Sequence, residues 1–232
     1  MRTAKNKDCI YHKVCKLKCA PDCVRYLQMK RLLELSNIPS QKQFISLIPV
    51  EVDKEAFDKL NTFSKNIKQF VEDGNNLYLC SEQCGNGKSS WAVRLMMSYF
   101  DKVWHNSYDV TRGMYVHVPT FLIDLKRFKE LPEYIDRILE ADLVIWDDIG
   151  FSSNLTQFEH EQLIHFIDYR MSQRKSNIYT SNIVDETVLS SVVGQRLSSR
   201  VFNESIVLEF KAKDFREVVK EHRVRKQKMS EE

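Results

Sequence analysis

Leu77-Tyr78-Leu79-Cys80-Ser81-Glu82-Gln83-Cys84-Gly85-Asn86-Gly87-Lys88-Ser89-Ser90 runs from an apolar, strand-like stretch through a glycine-containing loop into Trp91-Ala92-Val93-Arg94-Leu95-Met96-Met97, which has helical periodicity. Strand, loop and helix in that order form the context in which a phosphate-binding loop works: backbone N–H groups converge on phosphate oxygens, and the helix N-terminus behind them adds a favourable dipole. Gly85 and Gly87 permit the required backbone path, with Asn86 between them and Ser90 following. Lys88 is placed to bridge the β- and γ-phosphates, and the Ser89 hydroxyl to enter the shell of a Mg²⁺ ion. One position departs from G-x-x-x-x-G-K-[ST]: Glu82 stands where the first glycine is usual, which leaves the path at the loop entrance open.

Downstream, Ala141-Asp142-Leu143-Val144-Ile145-Trp146-Asp147-Asp148 is an apolar run ending in two carboxylates. Such a run reads as a buried parallel strand, and its C-terminal end is where open α/β sheets bind ligands. Asp147 is therefore expected to hold Mg²⁺ through water, and Asp148 to orient the attacking water. Further strands are expected over Met114 to Val118, Asn177 to Asn182 and Ser205 to Phe210. Helices are expected over Val24 to Leu35 and over Asp53 to Glu72 with Asp53 as N-cap. Two more are expected around Phe121, Leu122, Leu125 and Phe128, and over Phe158 to Met171. The alternation predicts an α/β domain, a parallel sheet flanked by helices with right-handed crossovers.

The chain has 232 residues, 43% of them hydrophobic, and a formal charge of +3. Its charge is unevenly placed, because residues 1–31 hold nine Lys/Arg against two Asp/Glu. That basic front suits nucleic acid or an acidic protein surface, or is simply solvated. No apolar run approaches the length that spans a bilayer and none follows Met1, so a soluble protein of the bacterial cytoplasm is expected, with no membrane partner. Cys9, Cys15, Cys19 and Cys23 cluster in the basic front. Without an export signal, clustered cysteines favour metal ligation over disulfides. Four thiolates suit structural Zn²⁺, although the spacing is not that of a common knuckle, Pro21 opposes a continuous helix, and an iron–sulfur cluster or unligated thiols are the other readings. Cys80 and Cys84 read as a buried strand residue and a loop residue. The organisation expected is a cysteine-rich module over 1–36, a linker over 37–52, the α/β domain over 53–216 and a charged tail over 217–232.

The phosphate loop, the Leu143 to Gly150 stretch, the Thr180-Ser181-Asn182 strand end and the Gln195-Arg196-Leu197-Ser198-Ser199-Arg200 segment together resemble the AAA+ P-loop ATPases of the DnaC/DnaI-type replicative helicase loaders, phage-encoded members above all. The resemblance spans roughly residues 38–216, and the cysteine-rich front resembles the metal-binding, helicase-contacting module of some loaders. It implies ATP/ADP and Mg²⁺ as ligands, a DnaB-type helicase and single-stranded DNA as partners, and homo-oligomeric assembly, in a bacterial cytoplasm that includes that of a phage-infected cell. It also implies roles. Asn182 would be the polar residue that senses the γ-phosphate. Arg200 would be the arginine finger reaching a neighbour's nucleotide, with Arg196 the second candidate, and Arg216 would be a further phosphate contact. Two other functions share these motifs: a transposition-type regulator of the IstB kind acting on duplex DNA, and an interaction protein that binds ATP without hydrolysing it.

Overall fold

The computed structural model describes Cys9, Tyr11, Cys15, Ala20, Leu47 and residues 22–43, 50–127, 132–151 and 155–214. Cys19, Phe128, Arg216 and the tail over 217–232 lie outside the described residues. Five parallel strands form one sheet: β1 (Asn76–Cys80), β2 (Gly113–His117), β3 (Leu143–Asp147), β4 (Ser176–Ser181) and β5 (Ile206–Glu209), in the order β2-β3-β4-β1-β5. β1 thus lies between β4 and β5, and the chain crosses two strand positions to reach β2. The C-terminal ends of β1, β4 and β3 stand side by side, which is where a ligand crevice forms in open parallel sheets.

Because side chains alternate across a strand, each strand feeds two cores. Leu77, Leu79, Tyr115, Leu143, Ile145, Ile178 and Leu208 pack on one face, beneath α1 (Val24–Leu35), α2 (Lys54–Lys65), α3 (Ile67–Glu72) and α4 (Lys88–Val103). Tyr78, Cys80, Met114, Val116, Val144, Trp146 and Tyr179 pack on the other. That face is covered by α5 (Val118–Arg127), α6 (Pro132–Glu140), α7 (Gln157–Ser172), α8 (Glu186–Val193) and α9 (Gln195–Ser198). Two covered faces explain why the central strands read as continuous apolar runs.

The helix expected from Asp53 to Glu72 is two helices. The chain turns at Asn66 (φ −106°, ψ 20°), whose N–H reaches back to Thr62 and Phe63 and whose amide side chain also donates to Thr62 O. Asp53 stands at the head of α2 without capping it. Its carboxylate instead accepts the N–H groups of Lys211 (2.6 Å) and Ala212 (3.3 Å), tying the segment after β5 to the body. α1 has the boundaries expected, and its Met29 and Leu32 belong to the same buried cluster as Leu77 and Phe100, as does Ile38 from the stretch read as a linker. The front also touches the body through Asp101 of α4, which accepts from Tyr11 Oη (2.5 Å) and Arg25 Nη2 (2.6 Å).

Candidate nucleotide site

The loop after β1 is organised by Ser81. Its hydroxyl accepts from Gln83 N (3.0 Å) and Asn86 Nδ2 (2.5 Å), and Asn86 Nδ2 also reaches Ala212 O (3.4 Å). This accounts for Glu82. The positive-φ residues of the loop are Gly85 (74°) and Gly87 (99°), whereas Glu82 needs no left-handed backbone and is exposed. The entrance turn is made by a serine hydroxyl, so a glycine there is dispensable.

Lys88, at the start of α4, is only 7% exposed. Its ammonium donates to Gln83 O (2.9 Å) and Asn86 Oδ1 (3.2 Å), with no carboxylate partner among the described residues, and burial pushes its pKa below the ordinary lysine value. A buried cation without a counter-ion is costly, and an anion in the loop would relieve that cost. The cradle also has room, because nothing lies within 4 Å of the position a Cβ on Gly87 would take. Gly85 is closed in, since a Cβ there would stand 1.9 Å from the Asp214 carboxylate. Gly85→Ala is expected to swing that flexible side chain away and to cost about 1–2 kcal/mol for an alanine held at positive φ, read as a lower denaturation midpoint.

Asp147, ending β3, is 3% exposed and its oxygens are fully engaged. Thr180 Oγ1 donates to Oδ1 (2.7 Å), while Tyr115 Oη and the Lys42 ammonium (3.1 Å) hold Oδ2, and the Ser89 hydroxyl bonds to the same carboxylate. Burial alone would raise its pKa, but Lys42 and the three hydroxyl donors outweigh burial and hold it below the usual value. Asp148 takes the opposite course: half-buried and beside the Asp147 charge, its carboxyl is raised. Its backbone is left-handed (φ 67°), fixed by its N–H to Thr180 Oγ1 (3.0 Å) and by Ile149 N to Thr180 O (2.9 Å). An anion cradle, a serine hydroxyl and a buried ionised carboxylate form a donor set that fits a magnesium-bound nucleotide phosphate.

Of the residues singled out in the sequence, the fold brings together Gly85, Asn86, Gly87, Lys88, Ser89, Asp147 and Asp148. Ser90 lies in the first turn of α4, and Asn182 is exposed one residue past the end of β4. Arg200 is elsewhere: its guanidinium bonds to Asp168 of α7 (2.9 Å) and Glu204 (2.7 Å), and Arg196 shares Asp168 (2.7 Å). Among the described residues no group of three or more His, Cys, Asp and Glu assembles as a metal site, and the fourth front cysteine, Cys19, lies outside them. Cys80 is buried and Cys84 exposed. Three residues of the site carried no sequence signal used above. Lys42 lies in a loop, Tyr115 reads as a core strand residue, and Thr180 was quoted only as part of a strand end.

No helix among the described residues is long and apolar enough to cross a membrane. No protein-family model matches the sequence, and no curated protein does so. Solved structures match it in fold. The DnaC helicase loader superposes with a TM-score of 0.59 at 19% identity, over 78% of this chain and 99% of that one. DnaI gives 0.62 at 21%, over 80% and 100%. The replication initiator DnaA, bound to AMPPCP and single-stranded DNA, gives 0.56 at 19%, over 81% of this chain and 56% of its own. The fold of this chain is therefore the AAA+ fold that these replication proteins share.

Proposed function

We propose that the chain is an ATP-dependent loader of a DnaB-type replicative helicase, binding and hydrolysing ATP to control helicase assembly on single-stranded DNA. The observation that carries the reading is the cluster of Ser89, Asp147 and Thr180 at adjoining strand ends, next to a buried lysine with no carboxylate partner. The likeness in fold to a helicase loader over nearly all of that loader's length supports it, as does the ATP analogue and single-stranded DNA carried by DnaA.

In this reading the loop amides and Lys88 hold the phosphates, and Ser89 and Asp147 hold Mg²⁺, which would supply charge neutralisation at the β- and γ-oxygens. Thr180 fixes Asp147 through Oδ1 and the Asp148 amide through the same hydroxyl, so the two carboxylates are aimed by one strand end. Asp148 orients the water and takes part of its proton's charge, a task its raised pKa favours. Asn182 completes the site from the end of β4, and Arg216 adds a phosphate contact. Arg200 acts on a neighbouring subunit's nucleotide after leaving Asp168. The front segment, with Zn²⁺ on Cys9, Cys15, Cys19 and Cys23, contacts the helicase, and the basic surface meets DNA.

Size-exclusion chromatography with light scattering of the chain mixed with its host's DnaB-type helicase, with and without ATP and Mg²⁺, tests the reading. A co-eluting complex is expected. Its absence in every nucleotide state, with assembly on duplex DNA instead, would favour the transposition-type regulator. Within a complex, Arg200→Ala is expected to lower the stimulated ATPase rate by about 10³-fold or more while leaving ATP binding in place, as measured by turnover and equilibrium binding.

A further inference from the structure

The Walker-type carboxylate Asp147 already carries a cation supplied by the chain itself. Lys42 belongs to the short turn Ser40–Lys42 that joins α1 to the body. Its side chain is largely buried, its ammonium stands 3.1 Å from Asp147 Oδ2, and the same ammonium bonds to Tyr115 Oη, which donates to that oxygen. With Thr180 on Oδ1, neither Asp147 oxygen is left without a protein donor. The turn is also firmly mounted. Ser36 O accepts from Tyr115 N (2.7 Å), Asn37 Nδ2 donates to Tyr115 O (3.3 Å), and Gln43 Nε2 closes on Ile38 O (3.0 Å). Residues 36–43 therefore hang on β2 beside the strand that ends in Asp147, and α1 follows directly on their N-terminal side.

A carboxylate oxygen in this position cannot serve an ammonium and a divalent ion together, because the two cations would face each other at a few ångströms in a partly dry site. We propose that Lys42 is a built-in cation that competes with Mg²⁺ for Asp147, and that its release on metal–nucleotide binding frees the 36–43 turn and so reports the state of the site to α1. The inference rests on the nucleotide-site reading above and adds to it a regulatory residue and a direction of signalling. Lys42 acts here through Asp147 and touches no reacting atom.

The test uses the full chain and a non-hydrolysable ATP analogue titrated with Mg²⁺, by calorimetry, alongside hydrogen–deuterium exchange of peptides covering 24–43. In the wild type, exchange over 36–43 is expected to rise when analogue and Mg²⁺ are both present and to stay low with analogue alone. Lys42→Met, which keeps the stem and removes the charge, is expected to lower the Mg²⁺ concentration needed for binding by on the order of tenfold. If that variant does not fold, Lys42→Gln serves, and the wild-type exchange measurement stands without either. An unchanged Mg²⁺ requirement, or exchange over 36–43 indifferent to metal, overturns the inference alone. Weaker metal-dependent binding in Lys42→Met also overturns it, making Lys42 a phosphate ligand. No binding of the analogue by the wild type under any metal condition overturns the nucleotide-site reading and this inference with it.

Discussion

Lys88→Ala is expected to weaken ATP binding in the presence of Mg²⁺ by roughly a hundredfold, since the charged hydrogen bonds of such a lysine contribute about 1.5–3 kcal/mol each. The same substitution is expected to leave the ligand-free chain as stable as before, or slightly more so. The two halves of this expectation follow from one observation. Lys88 is buried against a carbonyl and an amide oxygen with no carboxylate to neutralise it, and burial depresses its pKa, so in the absence of an anion its charge is a cost to the fold. A structural lysine would behave in the opposite way, with destabilisation and no binding phenotype. Thermal melting with and without nucleotide separates the cases. At a hundred times Kd the wild type should gain about 2.7 kcal/mol, and the variant should gain almost none. An alanine variant that melts well below the wild type without ligand, or that keeps the ligand shift, would contradict the assignment of Lys88.

The parts of the site legible in the sequence are those fixed by chain neighbours. Gly85-Asn86-Gly87-Lys88-Ser89 must follow a strand and open a helix, and Asp147-Asp148 must end a buried run, so both could be placed from local pattern. What escaped the sequence is what strand order creates. Thr180 lies next to Asp147 only because β4 is inserted between β3 and β1, and Tyr115 only because β2 pairs with β3 at that register. Lys42 arrives from a connection with no periodicity at all. Asp53 shows the limit of local rules from the other side: an aspartate heading a helix satisfies the capping pattern, yet its carboxylate is taken by Lys211 and Ala212, more than 150 residues away. The break at Asn66 is of the same kind, since the apolar spacing of Leu60, Phe63, Ile67 and Phe70 continues through a turn that only the backbone reveals. Distant pairing overrides the nearest-neighbour signal in each instance.

Arg170→Met is expected to destabilise the fold by about 3–5 kcal/mol without changing nucleotide affinity in the molecules that remain folded. Arg170 sits on α7 with 0% exposure, and no carboxylate neutralises it. Its guanidinium donates instead to Ile138 O, Ala141 O and Ser176 O, each at 2.7 Å, and to Asn177 Oδ1 at 2.8 Å. Those acceptors lie where α6 runs into β3 and α7 into β4, so one side chain closes the carbonyl ends of two connections at the edge opposite the phosphate loop. Asn177 extends the network, accepting from Trp146 Nε1 and donating to Asn76 Oδ1, which joins β3, β4 and β1 at their starts. Methionine fills much of the volume but leaves up to four buried acceptors without donors, at about 1–3 kcal/mol each, offset in part because a guanidinium no longer has to be kept from water. Lysine keeps the charge yet offers three donors from one point where arginine offers five in a fork, so Arg170→Lys should recover only part of the loss. Urea denaturation followed by fluorescence gives the free energies. An unchanged slope with a lower midpoint marks a loss of native stability and not a change in the unfolded chain. If Arg170→Met were as stable as the wild type, the buried guanidinium would be a tolerated charge and not the clasp that sets β3, β4 and β1 in register. The alignment of Asp147, Thr180 and the phosphate loop at the far ends of those strands would then have to come from side-chain packing alone.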